Sequence, residues 1–178
     1  MNEPTPTSDE PEGRRRRITV RQSVRTPGLT APAIGRAVRA AAGARPIHAV
    51  NVTVTNDATM ADLHARYLND PKATDVLAFD LTGPGTPEEA IDGEIVVSAD
   101  AAARMSTKLG VPARQEALRY VIHGVLHLCG GRDATPAQRR RMRRQEDRVL
   151  RELGWSLPAS GTRRSTGGAG RSSRQGRS

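Results

Sequence analysis

Residues 93–110 read GEIVVSADAAARMSTKLG, and the periodicity of the chain changes within them. Gly93 to Ser98 is a compact apolar run of strand length, preceded by a loop of Gly, Pro and Thr at 82–87. From Ser98 the pattern turns helical. Ser98 or Asp100 can cap a helix that runs through Leu109, and Gly110 is its C-terminal signal. Strand-like segments dominate upstream of this switch and helix-like ones downstream. That order predicts an α+β domain, a small mixed sheet of about four strands covered by helices.

Upstream, residues 47–55 (IHAVNVTVT) alternate with a period of two, Val50, Val52 and Val54 on one side and Asn51, Thr53 and Thr55 on the other. Residues 17–25 alternate weakly and make a first strand. Between them, Thr30 and Pro32 start a helix with Ile34, Ala37, Val38 and Ala41 on one face, ended by Gly43. Asn56 or Asp57 can cap a helix carrying Met60, Leu63 and Tyr67, which Asn69, Asp70 and Pro71 break. Residues 75–79 (DVLAF) form a short strand whose spacing from 93–98 suggests a hairpin.

Downstream, Pro112 opens a helix with Leu118, Val121, Ile122, Val125 and Leu126 as its buried stripe. Thr135 and Pro136 open a last one with Met142, Val149, Leu150 and Leu153, closed by Gly154. Trp155 and Leu157 pack the end onto the core. Residues 1–13 and 158–178 are too poor in apolar residues to fold, so the domain is expected at 14–157.

With 28 Lys and Arg against 19 Asp and Glu, the net charge is +9. The excess is mostly Arg, clustered at Arg14 to Arg17, at Arg139, Arg140, Arg141, Arg143 and Arg144, and in the tail. Planar guanidinium groups suit phosphate, so nucleic acid is a candidate partner, although an Arg-rich composition alone does not establish one. One cysteine, Cys129, rules out an internal disulfide or a Cys-rich zinc finger. No apolar stretch has membrane-spanning length and no signal peptide is visible, which points to the cytoplasm.

The chemistry concentrates in His123-Gly-Val-Leu-His127-Leu-Cys-Gly-Gly-Arg-Asp133. Two histidines four apart on a helix share a face and can share one metal ion. Gly130 and Gly131 allow a sharp reversal that can bring Asp133 back as a third ligand, leaving coordination positions open. Two such histidines alone are a weak signal; the turn and the carboxylate strengthen it. In the common helical zinc-hydrolase motif the residue after the first His is a Glu that acts as general base. Here it is Gly124, which argues against a peptidase. The base must then be another carboxylate, the metal's own water chemistry or a group on the substrate. Glu146 and Asp147, among arginines, are expected in solvated pairs along their helix. Asp75 is expected to serve a turn or cap, and His48 and His64 to lie at the surface.

The segment HGVLHLCG with its carboxylate-bearing turn resembles the HGxLHLxGxDH signature of the YbeY family of bacterial endoribonucleases. Residues 74–79 (TDVLAF) resemble that family's TDVLSF strand, and 93–98 (GEIVVS) its GDIVIS strand. The resemblance spans about residues 47–153. It implies a small α+β domain, zinc held by three ligands and single-strand-specific RNA cleavage. It further implies roles in 16S rRNA 3′-end maturation and ribosome quality control, with ribosomal RNA and the small subunit as partners. The first two zinc ligands fall on His123 and His127. The third, usually His, falls on Asp133, a competent ligand that adds negative charge and could shift preference toward manganese or iron. Where the family often carries an Arg after the aromatic of the second helix, this chain has Leu68, so Arg66 or Arg132 would have to steady the phosphate. Arg139, Arg140, Arg143 and Arg144 are expected to hold the RNA backbone. Ser98 is expected to cap its helix, on a strand that the resemblance places along the cleft. The alternative is a non-catalytic RNA-binding assembly factor in which the metal only staples helix to turn.

Overall fold

A computed structural model describes residues 17–68 and 74–157. The expected tails and the break at Asn69, Asp70 and Pro71 lie outside these residues. Strand β1 (Arg17–Gln22) leads into helix α1 (Ala31–Ala42), whose first turn is capped by the Thr30 hydroxyl accepting from the Ala33 amide. Strand β2 (Ile47–Thr55) returns parallel to β1. Helix α2 (Asp57–Leu68) follows, its N-terminus capped by Asn56 Oδ1 accepting from the Thr59 amide at 2.9 Å. Strands β3 (Val76–Asp80) and β4 (Ile91–Ser98) are the antiparallel pair that their spacing suggests. Because β4 lies parallel to β2, the order across the sheet is β1-β2-β4-β3.

Three helices complete the chain: α3 (Ala99–Leu109), α4 (Ala113–Leu128) and α5 (Pro136–Glu152). Ser98 ends β4 and caps α3, accepting from the Ala101 amide at 2.9 Å while its hydroxyl donates to Asp57 Oδ1. It is fully buried and serves this junction. Arg104 pairs with the same Asp57, and these two partners hold that carboxyl below its usual pKa range.

Successive residues of β4 separate the two faces of the sheet. Ile95 meets α4 in the main core, with Val50, Val52 and Val54 of β2, Ile34 and Val38 of α1, and the predicted α4 stripe. Val96 points to the other face, where it is buried with Met60 of α2 and Leu77 of β3. Two side chains depart from the simple alternation. Thr55, expected to face outward, is buried and accepts the Ser23 hydroxyl at 3.1 Å. Tyr67, expected on the packed stripe of α2, is 61% exposed and leans on Phe79 with ring centroids 5.3 Å apart. Trp155 and Leu157 do pack against the main core.

Helix α4 is pressed onto the sheet at Gly124, where an added Cβ would lie 2.8 Å from Ile95 Cγ2. The residue that replaces the zinc-hydrolase general base is therefore a contact point that needs the absence of a side chain. Its neighbour His123 and the next-turn His127 are left on a partly open flank of the same helix.

Candidate metal centre

The end of α4 sets the site. Gly130 takes φ +84, a conformation that costs glycine little, its amide donating to His127 O at 2.8 Å. The Gly131 amide donates to Leu126 O at 2.8 Å, and the two bonds together make a Schellman motif. This closure reverses the chain within two residues, as the sequence predicts, and carries Asp133 back over the histidines. Helix α5 then starts in a capping box. The Thr135 hydroxyl accepts from the Gln138 amide, and Gln138 Oε1 accepts from the Thr135 amide.

His123 Nε2 and His127 Nε2 face each other at 2.9 Å. Asp133 Oδ2 lies 3.7 Å from the first and 3.8 Å from the second. Among the described residues, these are the three potential ligands whose donor atoms all lie within 4.8 Å of one another. Zinc–nitrogen bonds of about 2.0–2.1 Å in a regular tetrahedron place ligand atoms roughly 3.4 Å apart, a value the three distances bracket.

Hydrogen bonding supports the same fit. His127 Nδ1 lies 2.9 Å from Gly131 O, which can only accept, so this nitrogen carries the proton. His123 Nδ1 lies 2.8 Å from Glu146 Oε1, and an ionised carboxylate likewise only accepts. With both neutral rings protonated at Nδ1, two Nε2 lone pairs and a carboxylate oxygen converge on one point. Three acceptors in that arrangement suit a cation.

Burial works to lower the His123 pKa, but the hydrogen bond to Glu146 and the charges of Glu146, Asp133 and Asp75 outweigh it and hold the pKa above the ordinary value. Burial raises the Glu146 pKa, and the hydrogen bond from His123 with the charges of His123 and Arg119 more than offsets this, so the carboxyl stays below its usual range. Cys129, two residues after the second histidine, joins no such cluster among the described residues, and burial pushes its thiol up.

The expectation for Glu146 and Asp147 is corrected by the packing of α5. Glu146 and Asp147 do not form solvated pairs along α5. Glu146 is buried against His123, and Arg119, itself buried on α4, reaches Glu146 Oε2 at 3.2 Å and Asp147 Oδ1 at 2.7 Å. His48 and His64 are half-buried, with His48 Nε2 3.8 Å from Asp92 Oδ2. The periodicity of α5 held a signal for Glu146. Met142, Glu146, Val149, Leu150 and Leu153 fall on one helical face, so the acid occupies a core position.

The arginines divide. Arg132 is exposed beside Asp133 and, with Arg141, Gln138 and Gln145, lines a cavity of about 290 Å³ against the Gly130–Gly131 turn. Arg139 is engaged with the protein itself, Nη1 donating to Asp133 O at 3.1 Å and to Ala134 O at 2.8 Å, so it braces the turn that carries Asp133. Arg140 and Arg144 are exposed and Arg143 is half-buried. Arg66 is exposed on the last turn of α2, a helix that packs on the other face of the sheet from α4. Asp75 immediately precedes β3, accepts the Thr74 hydroxyl at 3.4 Å and contributes charge at His123. No described helix is long and apolar enough to cross a membrane.

A family model described as "Endoribonuclease YbeY" matches residues 29–154. Curated relatives carry the same description. The protein from Salinibacter ruber is 39% identical over 115 residues, covering 62% of this chain and 71% of that protein. The one from Thermobifida fusca is 35% identical over 116 residues (62% and 74%), and the one from Frankia alni 31% over 146 (77% and 81%). Among solved structures, the solution structure of TM1509 from Thermotoga maritima superposes with a TM-score of 0.50 at 20% identity, covering 86% of this chain and 99% of that one. That likeness supports the fold.

Proposed function

The chain belongs to the YbeY family of endoribonucleases, and from that premise we propose that it cleaves single-stranded RNA at one metal ion held by His123, His127 and Asp133. The observation that carries the reading is the convergence of two Nε2 lone pairs and one carboxylate oxygen, each ring fixed through its Nδ1. A divalent ion bound by these residues would supply Lewis acidity toward a phosphate oxygen and would lower the pKa of water toward neutrality. Zinc suits two imidazoles, while the carboxylate leaves manganese or iron as competitors.

The residues around the cluster do the rest. Arg132, exposed and next to Asp133 in the chain, is the candidate to take a phosphate oxygen, the task that the sequence leaves open at Leu68. Arg140, Arg141 and Arg144, exposed on α5, extend the positive surface along which an RNA backbone would lie, with Arg143 behind them. Phosphate contacts fix register and not sequence, so the preference for unpaired RNA would come from the approach of the strand to the cluster. Cytoplasmic work on ribosomal RNA, with the small subunit as partner in 16S 3′-end maturation and in ribosome quality control, follows from the family reading. The unit responsible is the segment 14–157, with 1–13 and 158–178 as tails.

The test is cleavage of a single-stranded ribosomal RNA fragment and of its duplex, each with and without chelator. Chelator-sensitive cleavage of the single strand alone supports the proposal. Equal cleavage of both, or cleavage indifferent to chelator, contradicts it.

A further inference from the structure

We infer that Glu146 is the positioning residue for His123: its carboxylate accepts a hydrogen bond from Nδ1–H and so aims the Nε2 lone pair at His127 and Asp133. The inference rests on the reading of the cluster as a metal site.

The two metal-facing rings are held differently. His127 is oriented by a backbone carbonyl of its own turn, Gly131 O at 2.9 Å. His123 is oriented from another element, by a side chain of α5 that is only 7% exposed. A carboxylate at that depth is costly unless it is paired and hydrogen-bonded. Arg119, 3% exposed on α4, supplies the compensating charge at Glu146 Oε2. Arg119 is in turn held by Asp147 at 2.7 Å and by Glu116 at 3.5 Å.

A simple staple between α4 and α5 would favour a different arrangement. Glu146 and Arg119 would pair through both oxygens, the stronger fork geometry for a guanidinium and a carboxylate. Instead Oε1 goes to the imidazole, while Arg119 Nη2 is buried without a hydrogen-bond partner among the described residues. The carboxylate is divided between Arg119 at Oε2 and, at Oε1, the ring that it orients. Arg139 of the same helix braces the Asp133 turn, so α5 sets two of the three ligands from outside the ligand segment.

The experiment uses the full chain and zinc as the probe. Zinc affinity is measured by chelator competition for wild type, E146A, E146Q and H123A. Unfolding of each is followed in excess chelator, and the His123 tautomer in the metal-free wild type is read from imidazole nitrogen shifts. The expected results are an Nδ1–H tautomer, a loss of zinc affinity of about 10–100-fold in E146A and a smaller loss in E146Q, whose amide oxygen can still accept from Nδ1. Lowered unfolding temperature with unchanged zinc affinity in both variants would overturn the inference and leave Glu146 a structural staple. If E146A does not fold, E146Q and the wild-type tautomer decide, and an Nε2–H tautomer overturns it. Wild-type zinc affinity in H123A would instead overturn the metal site itself, so the two failures are distinguishable.

Discussion

Asp133 is the ligand candidate on which the chemistry of the centre turns. Its oxygen stands within 3.8 Å of both imidazoles, and its side chain is 43% exposed, the most open of the three. Removing it takes one of three donors, so Asp133→Ala should weaken zinc binding on the order of a hundredfold or more, read by chelator competition. Asp133→His should keep binding and raise the ratio of zinc to manganese affinity, because imidazole is the softer donor. Unchanged zinc affinity in the alanine variant would remove Asp133 from the site. His123 and His127 were legible in the sequence because a four-residue spacing fixes a shared helical face without reference to the rest of the chain. Glu146 was harder to see. Acids among arginines resemble a solvated face, and its burial depends on α5 docking against α4, a contact between distant segments.

At the scale of elements, local chemistry carried most of the reading. Thr30 and Thr135 cap as their sequence positions predict, and Gly130 closes α4 through backbone bonds that any such turn makes. The order β1-β2-β4-β3 was not legible, since it depends on which strands meet across long separations. Gly124 shows how packing governs the helix that carries both histidines. In Gly124→Ala the new methyl meets Ile95, which is itself fully buried. The gain in helix propensity of about 1 kcal/mol is opposed by overpacking of roughly 1–3 kcal/mol, so a net loss of stability is expected in chemical denaturation. Zinc affinity should fall as well, because α4 must shift with both histidines. Thr135→Ala removes one half of the capping box and should cost about 1 kcal/mol. A variant as stable as wild type would show that the cap contributes nothing to the turn holding Asp133.

For the molecule as a whole, the net charge of +9 and the exposed arginines of α5 predict RNA binding governed by counterion release. If about four to six phosphates are contacted, the logarithm of the association constant for single-stranded RNA should fall with the logarithm of salt at a slope of about −3 to −4. A slope near zero would contradict an electrostatic surface. Charge alone does not supply a reaction, however, and the proposed cleavage depends on the cluster at the end of α4. The most direct test is cleavage of a single-stranded ribosomal RNA fragment by His123→Ala beside wild type, both metal-stripped and then titrated with zinc. Zinc should restore cleavage to wild type and not to the variant; equal cleavage by the two proteins would contradict catalysis at this cluster.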